Sequence, residues 1–226
     1  MRQRNFGNSN LKSSVIGYGG WPIGRGQYGD FDDDDAINAA RSAYDFGVTL
    51  FDSAAVYGWG YGETLMGKAI KDFRKDVILV SKGGREWDRG NVDRSTATVS
   101  TSDPKKLSKS IDESLTRLQT DYIDLYQLHW PERKTNFFGR LNYKHQEKED
   151  NWNDFEKILI TLEKFIKQGK IRYIGLSNET SWGLSKFLEV SKLKTLPKIV
   201  SVQNPYNLLC RTYEIGLAEI SIKEKS

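Results

Sequence analysis

The sequence of 226 residues has one cysteine, Cys210, and two histidines. A single thiol forms no internal disulfide, and one cysteine with two imidazoles does not make a Cys/His zinc site, so no metal is expected. No run of about 18 apolar residues occurs, and the opening Met1-Arg-Gln-Arg-Asn-Phe-Gly-Asn-Ser-Asn10 has no apolar stretch of the kind a secretory leader needs. Neither sign of charge dominates. The 34 Lys and Arg against 30 Asp and Glu leave a net +4 on a mixed surface, without the basic block that nucleic acid would call for. These absences point to a soluble protein of the reducing cytoplasm, with neither nucleic acid nor membrane as partner; its oligomeric state is open. The hydrophobic share of 38% suffices for one sizeable core or two small ones.

What is present is an alternation. Short β-rich runs at Val15–Gly17, Thr49–Asp52, Val77–Lys82, Ile123–His129, Arg172–Ser177 and Ile199–Gln203 are separated by helical patterns, the signature of parallel βαβ units. Asp103 followed by Pro104 reads as an N-cap and first helical residue, with Leu107, Ile111, Leu115 and Leu118 at helical spacing behind them. Trp152, Phe155, Leu159, Leu162 and Ile166 form a second stripe, closed by Gly169 as a left-handed cap. Further helices are read over Asp33–Phe46, Glu63–Lys71 and Thr180–Val190. With no linker, residues 1–226 read as one α/β domain.

Asp52, Tyr57, Lys82 and His129 each fall at or just past the C-terminal end of one of three consecutive strands. Strand C-termini in a parallel barrel open on one face, and that face carries the chemistry. A phenol near an ammonium, a carboxylate to pair with the ammonium, and an imidazole together suit protonation of a carbonyl oxygen. Taken singly, each residue has an ordinary structural reading: strand-end cap, core aromatic, solvated strand end, buried histidine. Their joint placement beside the glycine-rich Tyr57–Gly62 and Lys82-Gly-Gly84 favours a site, where glycine lets a ligand approach. The polar stretch Pro131–Asp150 leaves that face and reads about equally as a lid or a solvated loop, its Phe137, Phe138 and Tyr143 tilting it toward a substrate-side role.

A rival reading takes Gly24-Arg-Gly-Gln-Tyr-Gly29 as a dinucleotide fingerprint with Asp52 as the ribose-binding acid. Its context is wrong. Trp21 and Pro22 intervene after the strand, and Asp32–Asp35 would crowd carboxylates where a pyrophosphate must sit. No Tyr-x-x-x-Lys pair occurs either.

Asp52-Ser-Ala-Ala-Val-Tyr57-Gly, Ser81-Lys82-Gly and Asp124-Leu-Tyr-Gln-Leu-His129-Trp-Pro resemble the active-site motifs of the aldo-keto reductases. Leu11–Trp21 is similar to that family's N-terminal hairpin and first strand, and Gly175-Leu-Ser-Asn178 and Ser201–Leu209 to its fifth and sixth strand ends. Trp130–Gly139 and Gly216–Ser221 look most like the Tas-like bacterial branch. The resemblance implies a (β/α)8 TIM-type barrel, here incomplete with about six βα units and lacking strands seven and eight. With them would go the aromatic that stacks on the cofactor and the basic residues for the 2′-phosphate.

The implied activity is NADP(H)-dependent reduction of aldehyde or ketone carbonyls. Tyr57 would be the general acid, Lys82 lowering its pKa, Asp52 holding Lys82, and His129 orienting the carbonyl. Ser177, Asn178 and Gln203 would hold the nicotinamide carboxamide of NADPH or NADP, with Gly20, Trp21 and Asp52 beside the cofactor. Trp21, Tyr57 and Trp130 would contact a small carbonyl substrate, while Trp59 and Trp87 read equally as pocket wall or packing. The alternative is an inactive barrel fragment or a nucleotide-binding, redox-sensing subunit without turnover.

Overall fold

The computed structural model describes residues 1–25, 28–84, 103–133, 135–136, 140–145 and 154–226. Two short strands, β1 (Gln3–Asn5) and β2 (Lys12–Ser14), pair antiparallel as an N-terminal hairpin. Six parallel strands follow: β3 (Gly17–Gly19), β4 (Leu50–Asp52), β5 (Ile78–Gly83), β6 (Ile123–Leu128), β7 (Ile171–Ser177) and β8 (Ile199–Gln203). They lie side by side in chain order, with no reversal of strand order. A dinucleotide fold has such a reversal, and its crevice is where the cofactor lies, so the topology removes the rival reading.

Helices alternate with the strands: α1 (Asp33–Asp45), α2 (Tyr61–Ile70), α3 (Pro104–Leu118), α4 (Phe155–Lys167), α5 (Ser181–Lys194) and α6 (Leu217–Glu224). Their starts are set by local chemistry. Asp32 Oδ1 accepts from Asp34 N at 2.8 Å, Asp103 Oδ1 from Lys105 N at 2.9 Å, Asp154 Oδ1 from Lys157 N at 2.9 Å, and Thr180 Oγ1 from Gly183 N at 3.2 Å. Gly169, at φ 74°, takes the left-handed position after α4. Trp152, expected on that helix's stripe, lies outside the described residues.

Two apolar clusters sit on opposite faces of the sheet. Phe51, Leu79 and Leu128 point to the helices, meeting Leu65, Ile111, Leu159 and Phe187. Ile78, Val80, Leu125 and Val200 face the other way and gather around Leu11 and Phe6 of the hairpin. Both β5 and β6 are buried throughout, as expected of central parallel strands covered on two sides. A Cβ on Gly7, at φ 45°, would lie 2.2 Å from the Lys225 carbonyl oxygen and 2.6 Å from that of Val200. The hairpin turn is thus pressed under β8 and the end of α6.

The sheet curls. Gln203 on β8 reaches Asp52 on β4, Nε2 to Oδ2 at 3.4 Å, although the two strands are four positions apart. In a flat sheet that separation would be about 19 Å at the usual strand spacing. Among the described residues β3 pairs only with β4 and β8 only with β7, so there the curl stops short of closure.

The first strand begins later than the β-branched Val15 and Ile16 suggest. Both are exposed, and pairing starts with Gly17 opposite Leu50. Ser14 explains the shift. Its Oγ donates to the Ile16 carbonyl at 2.6 Å, and its backbone N and Oγ exchange hydrogen bonds with Thr49, so residues 14–16 turn out of the hairpin before the sheet begins.

Candidate active site

Lys82 is the hub. Its side chain rises from β5 almost wholly buried, and its ammonium is fully used: it donates to Asp52 Oδ2 at 2.7 Å, to the Ser53 carbonyl at 3.0 Å and to Tyr57 Oη at 3.1 Å. An ammonium has three protons, so each is assigned. Asp52 comes from the last position of β4, and Tyr57 from the turn Tyr57–Gly60 that follows. Ala55 N donates to the Lys82 carbonyl at 3.1 Å, which keeps the chain after β4 running along β5 as far as that turn.

His129 lies one residue beyond β6, its N–H bonded to the Gly83 carbonyl at 2.9 Å. Its ring meets Tyr57 edge-on with centroids 5.8 Å apart and stacks on Trp130 at 5.1 Å. The four residues singled out in the sequence therefore converge on one point.

Their electrostatics differ from the expectation in one respect. Burial pushes the Tyr57 phenol above its ordinary value; the Lys82 charge pulls it down, and Asp52 opposes Lys82. The expected lowering by Lys82 is present but outweighed by desolvation. Lys82 itself is raised: burial disfavours its charge, yet Asp52 and Tyr57 together more than compensate. His129 is held well below its usual value by burial and by Lys82, so it is a neutral imidazole at neutral pH.

The ends of β6, β7 and β8 are laced together. Asn178, in the left-handed region at φ 57°, donates Nδ2 to the His129 carbonyl at 3.0 Å and to Ser177 Oγ at 3.2 Å. Ser177 Oγ and Asn178 N both donate to the Gln203 carbonyl at 3.0 Å. Trp21 is 44% exposed and stacks on Tyr57 with centroids 6.3 Å apart, while Trp130 is buried behind His129. Trp59 is half exposed; Trp87, Phe137 and Phe138 lie outside the described residues.

The glycines serve a different purpose from the one expected. A Cβ on Gly58 would fall 1.8 Å from the Gly24 carbonyl oxygen, and one on Gly20 would fall 2.9 Å from that of Asp52. A Cβ on Gly83 would meet Tyr126 Oη at 2.1 Å. Protein atoms occupy these approaches. They let the segment after β3 pack directly on the Tyr57 turn.

Three features were not singled out in the sequence. Gln127 is a direct neighbour of Lys82 in the sheet and shares its layer; an amide inside a wholly buried strand was the available signal. Arg133 clamps Glu179 through two nitrogens, at 2.5 and 3.1 Å, and ties the segment after β6 to the segment after β7. Glu63 is buried against Arg117 and Ser81, although its position in the first turn of α2 reads as an ordinary helix-dipole acid.

Comparison with known proteins places this geometry. The sequence profile of the Aldo/keto reductase family matches residues 15–221. Protein tas of Escherichia coli (strain K12) is 36% identical over 98% of the chain and 64% of its own length. The aldo-keto reductase YhdN of Bacillus subtilis (strain 168) is 33% identical over 95% of the chain and 56% of its own. Among solved structures, the holo form of aldo-keto reductase AKR11C1 from Bacillus halodurans superposes with a TM-score of 0.78 at 27% identity, covering 100% of the chain and 64% of that protein. The chain thus spans less than two thirds of the length of these relatives.

Proposed function

Because the chain belongs to the aldo/keto reductase family, we propose that it carries the catalytic part of an NADP(H)-dependent oxidoreductase that reduces aldehyde or ketone carbonyls to alcohols, with Tyr57 as general acid. The observation that carries this reading is the fully assigned Lys82 ammonium, which spends one proton on Tyr57 Oη. A phenol that accepts from Lys82 keeps its own proton to give. Being raised, it stays protonated at neutral pH, and it becomes a competent donor once negative charge develops on a nearby carbonyl oxygen. The ammonium then stabilises the phenolate left behind, and Asp52 holds the ammonium in place.

The neutral imidazole of His129 supplies an N–H to the same oxygen. A donor aimed at a developing alkoxide contributes on the order of 3 kcal/mol. A nicotinamide held there would supply a hydride equivalent for the carbonyl carbon, and Tyr57 would supply the proton to its oxygen, giving the alcohol. Ser177, Asn178 and Gln203 would hold the carboxamide, with Gly20, Trp21 and Asp52 alongside, and Trp21 would flank the substrate, while Trp130, buried against His129, would support that ring. Acceptors on neighbouring residues suit that group. Gln127 Oε1 and Asn204 Oδ1 are buried acceptors without a hydrogen-bond partner among the described residues, and an amide NH2 needs acceptors.

One observation favours a second reading, a barrel fragment without turnover: among the described residues β3 and β8 are each unpaired on their outer side, which leaves the cradle incomplete there. The test is titration of the chain with NADPH, followed by addition of a small aldehyde. Saturable fluorescence change with aldehyde-dependent NADPH oxidation supports the reductase; absence of aldehyde-dependent oxidation, with or without binding, supports the silent reading.

A further inference from the structure

On the helix side of β5, behind the tetrad, lies an ionic group that the proposed chemistry does not use. Glu63 is fully buried in the first turn of α2. Ser81 Oγ donates to its Oε1 at 2.5 Å and Arg117 Nε to its Oε2 at 2.7 Å; Arg117 Nη2 donates to Ser114 Oγ at 3.2 Å. A carboxylate is stable at such depth only with charge-assisted partners of this kind.

The pair sits in a seam of close approach. Gly60, Glu63 and Gly67 recur at helical spacing along the side of α2 that meets α3. A Cβ on Gly67 would lie 2.5 Å from the Leu118 carbonyl oxygen, and one on Gly60 would lie 2.5 Å from Arg117 Cδ. Arg117 is therefore wedged under Gly60, whose φ of 95° ends the turn that presents Tyr57. The same turn is gripped on its other side by Gly24 against Gly58. Glu63 meanwhile holds Ser81, the residue immediately before Lys82.

We propose that the Glu63–Arg117 pair is a positioning device that sets Tyr57 against Lys82, bracing the Tyr57–Gly60 turn through Gly60 and β5 through Ser81 at once. The inference rests on the reading of Tyr57 as proton donor. Neither residue touches substrate; both act through the Nζ–Oη contact.

A double-substitution cycle tests this without requiring turnover. The phenol of Tyr57, which also faces Asp52 and His129, is titrated by NMR of ring-labelled tyrosine and assigned by its loss in Tyr57→Phe. In the otherwise unchanged chain, Lys82→Met should shift that titration upward. In Glu63→Gln or Arg117→Met chains the same substitution should shift it less than about half as far, because the two groups have drifted apart. Turnover in those two variants should fall at least about tenfold with KM and NADPH affinity within about twofold. Ser81→Ala is the milder variant if Arg117→Met gives no cooperative unfolding transition.

Equal Lys82→Met shifts in all folded backgrounds would overturn the proposal, even if Tyr57→Phe abolishes turnover. Altered coupling in a chain that never reduces a carbonyl would instead sustain the positioning role and remove the proton-donor reading.

Discussion

Lys82 Nζ stands 3.1 Å from Tyr57 Oη, with its remaining protons committed to Asp52 and to the Ser53 carbonyl. This saturation separates two jobs that a single buried cation performs. It anchors the end of β4 and the turn after it, and it biases the phenol. Both jobs are open to measurement, because they fail differently.

Lys82→Met leaves the Asp52 carboxylate, 16% exposed, without its counter-ion. Removing one partner of a buried pair costs about 3–5 kcal/mol, and the residual solvent at Asp52 puts the expectation at the lower end. The combined Asp52→Asn and Lys82→Met chain should recover most of that stability in urea unfolding. It should still reduce carbonyls at least about a hundredfold more slowly, since the phenolate has lost its cation. Recovery of turnover together with stability would mean that Lys82 is a structural counter-ion only.

His129 links the site to pH. Burial, with Lys82 adding repulsion, keeps its imidazole well below the ordinary value. The unfolded chain takes up that proton near pH 6.5. The stability associated with the neutral ring is therefore complete above that value and is lost as pH falls below it, by up to about 1.4 kcal/mol per unit. Between about pH 7 and pH 5.5 the unaltered chain should lose about 1 kcal/mol more unfolding free energy than His129→Gln. Parallel pH slopes for the two would mean that the folded ring titrates as the unfolded one does and is not held neutral.

The edges of β3 and β8 give a prediction about association. Among the described residues each is paired on one side only, and an unpaired edge templates pairing with another chain. The 226-residue polypeptide is expected to self-associate with rising concentration on gel filtration and to bind NADPH weakly. A separate polypeptide carrying two further βα units of an aldo/keto reductase should raise both its solubility and its NADPH affinity. A monodisperse monomer with a sharp thermal transition and tight NADPH binding would contradict this.

The six parallel strands, the caps at Asp103 and Gly169 and the convergence of the tetrad were legible because periodicity, cap chemistry and position at strand ends are local signals. What was not legible depends on distant neighbours. Val15 and Ile16 read as strand from their β-branched side chains, yet the Ser14–Thr49 exchange delays the sheet to Gly17. The direction of the Tyr57 shift turns on how much water the fold removes, which no spacing encodes. Gly58 and Gly83 signalled close approach correctly but not by what: Gly24 and Tyr126 take the space. Glu63 looked like any acid opening a helix, because its partner Arg117 is 54 residues away.

The most direct test of the account is Tyr57→Phe, which removes one oxygen while keeping the ring that stacks on Trp21. NADPH affinity, read by fluorescence, should stay within about twofold, while carbonyl-dependent NADPH oxidation in the same samples should fall at least about a hundredfold, the scale of a lost general acid. Near-normal oxidation by the phenylalanine chain would contradict the assignment of Tyr57 as the proton donor.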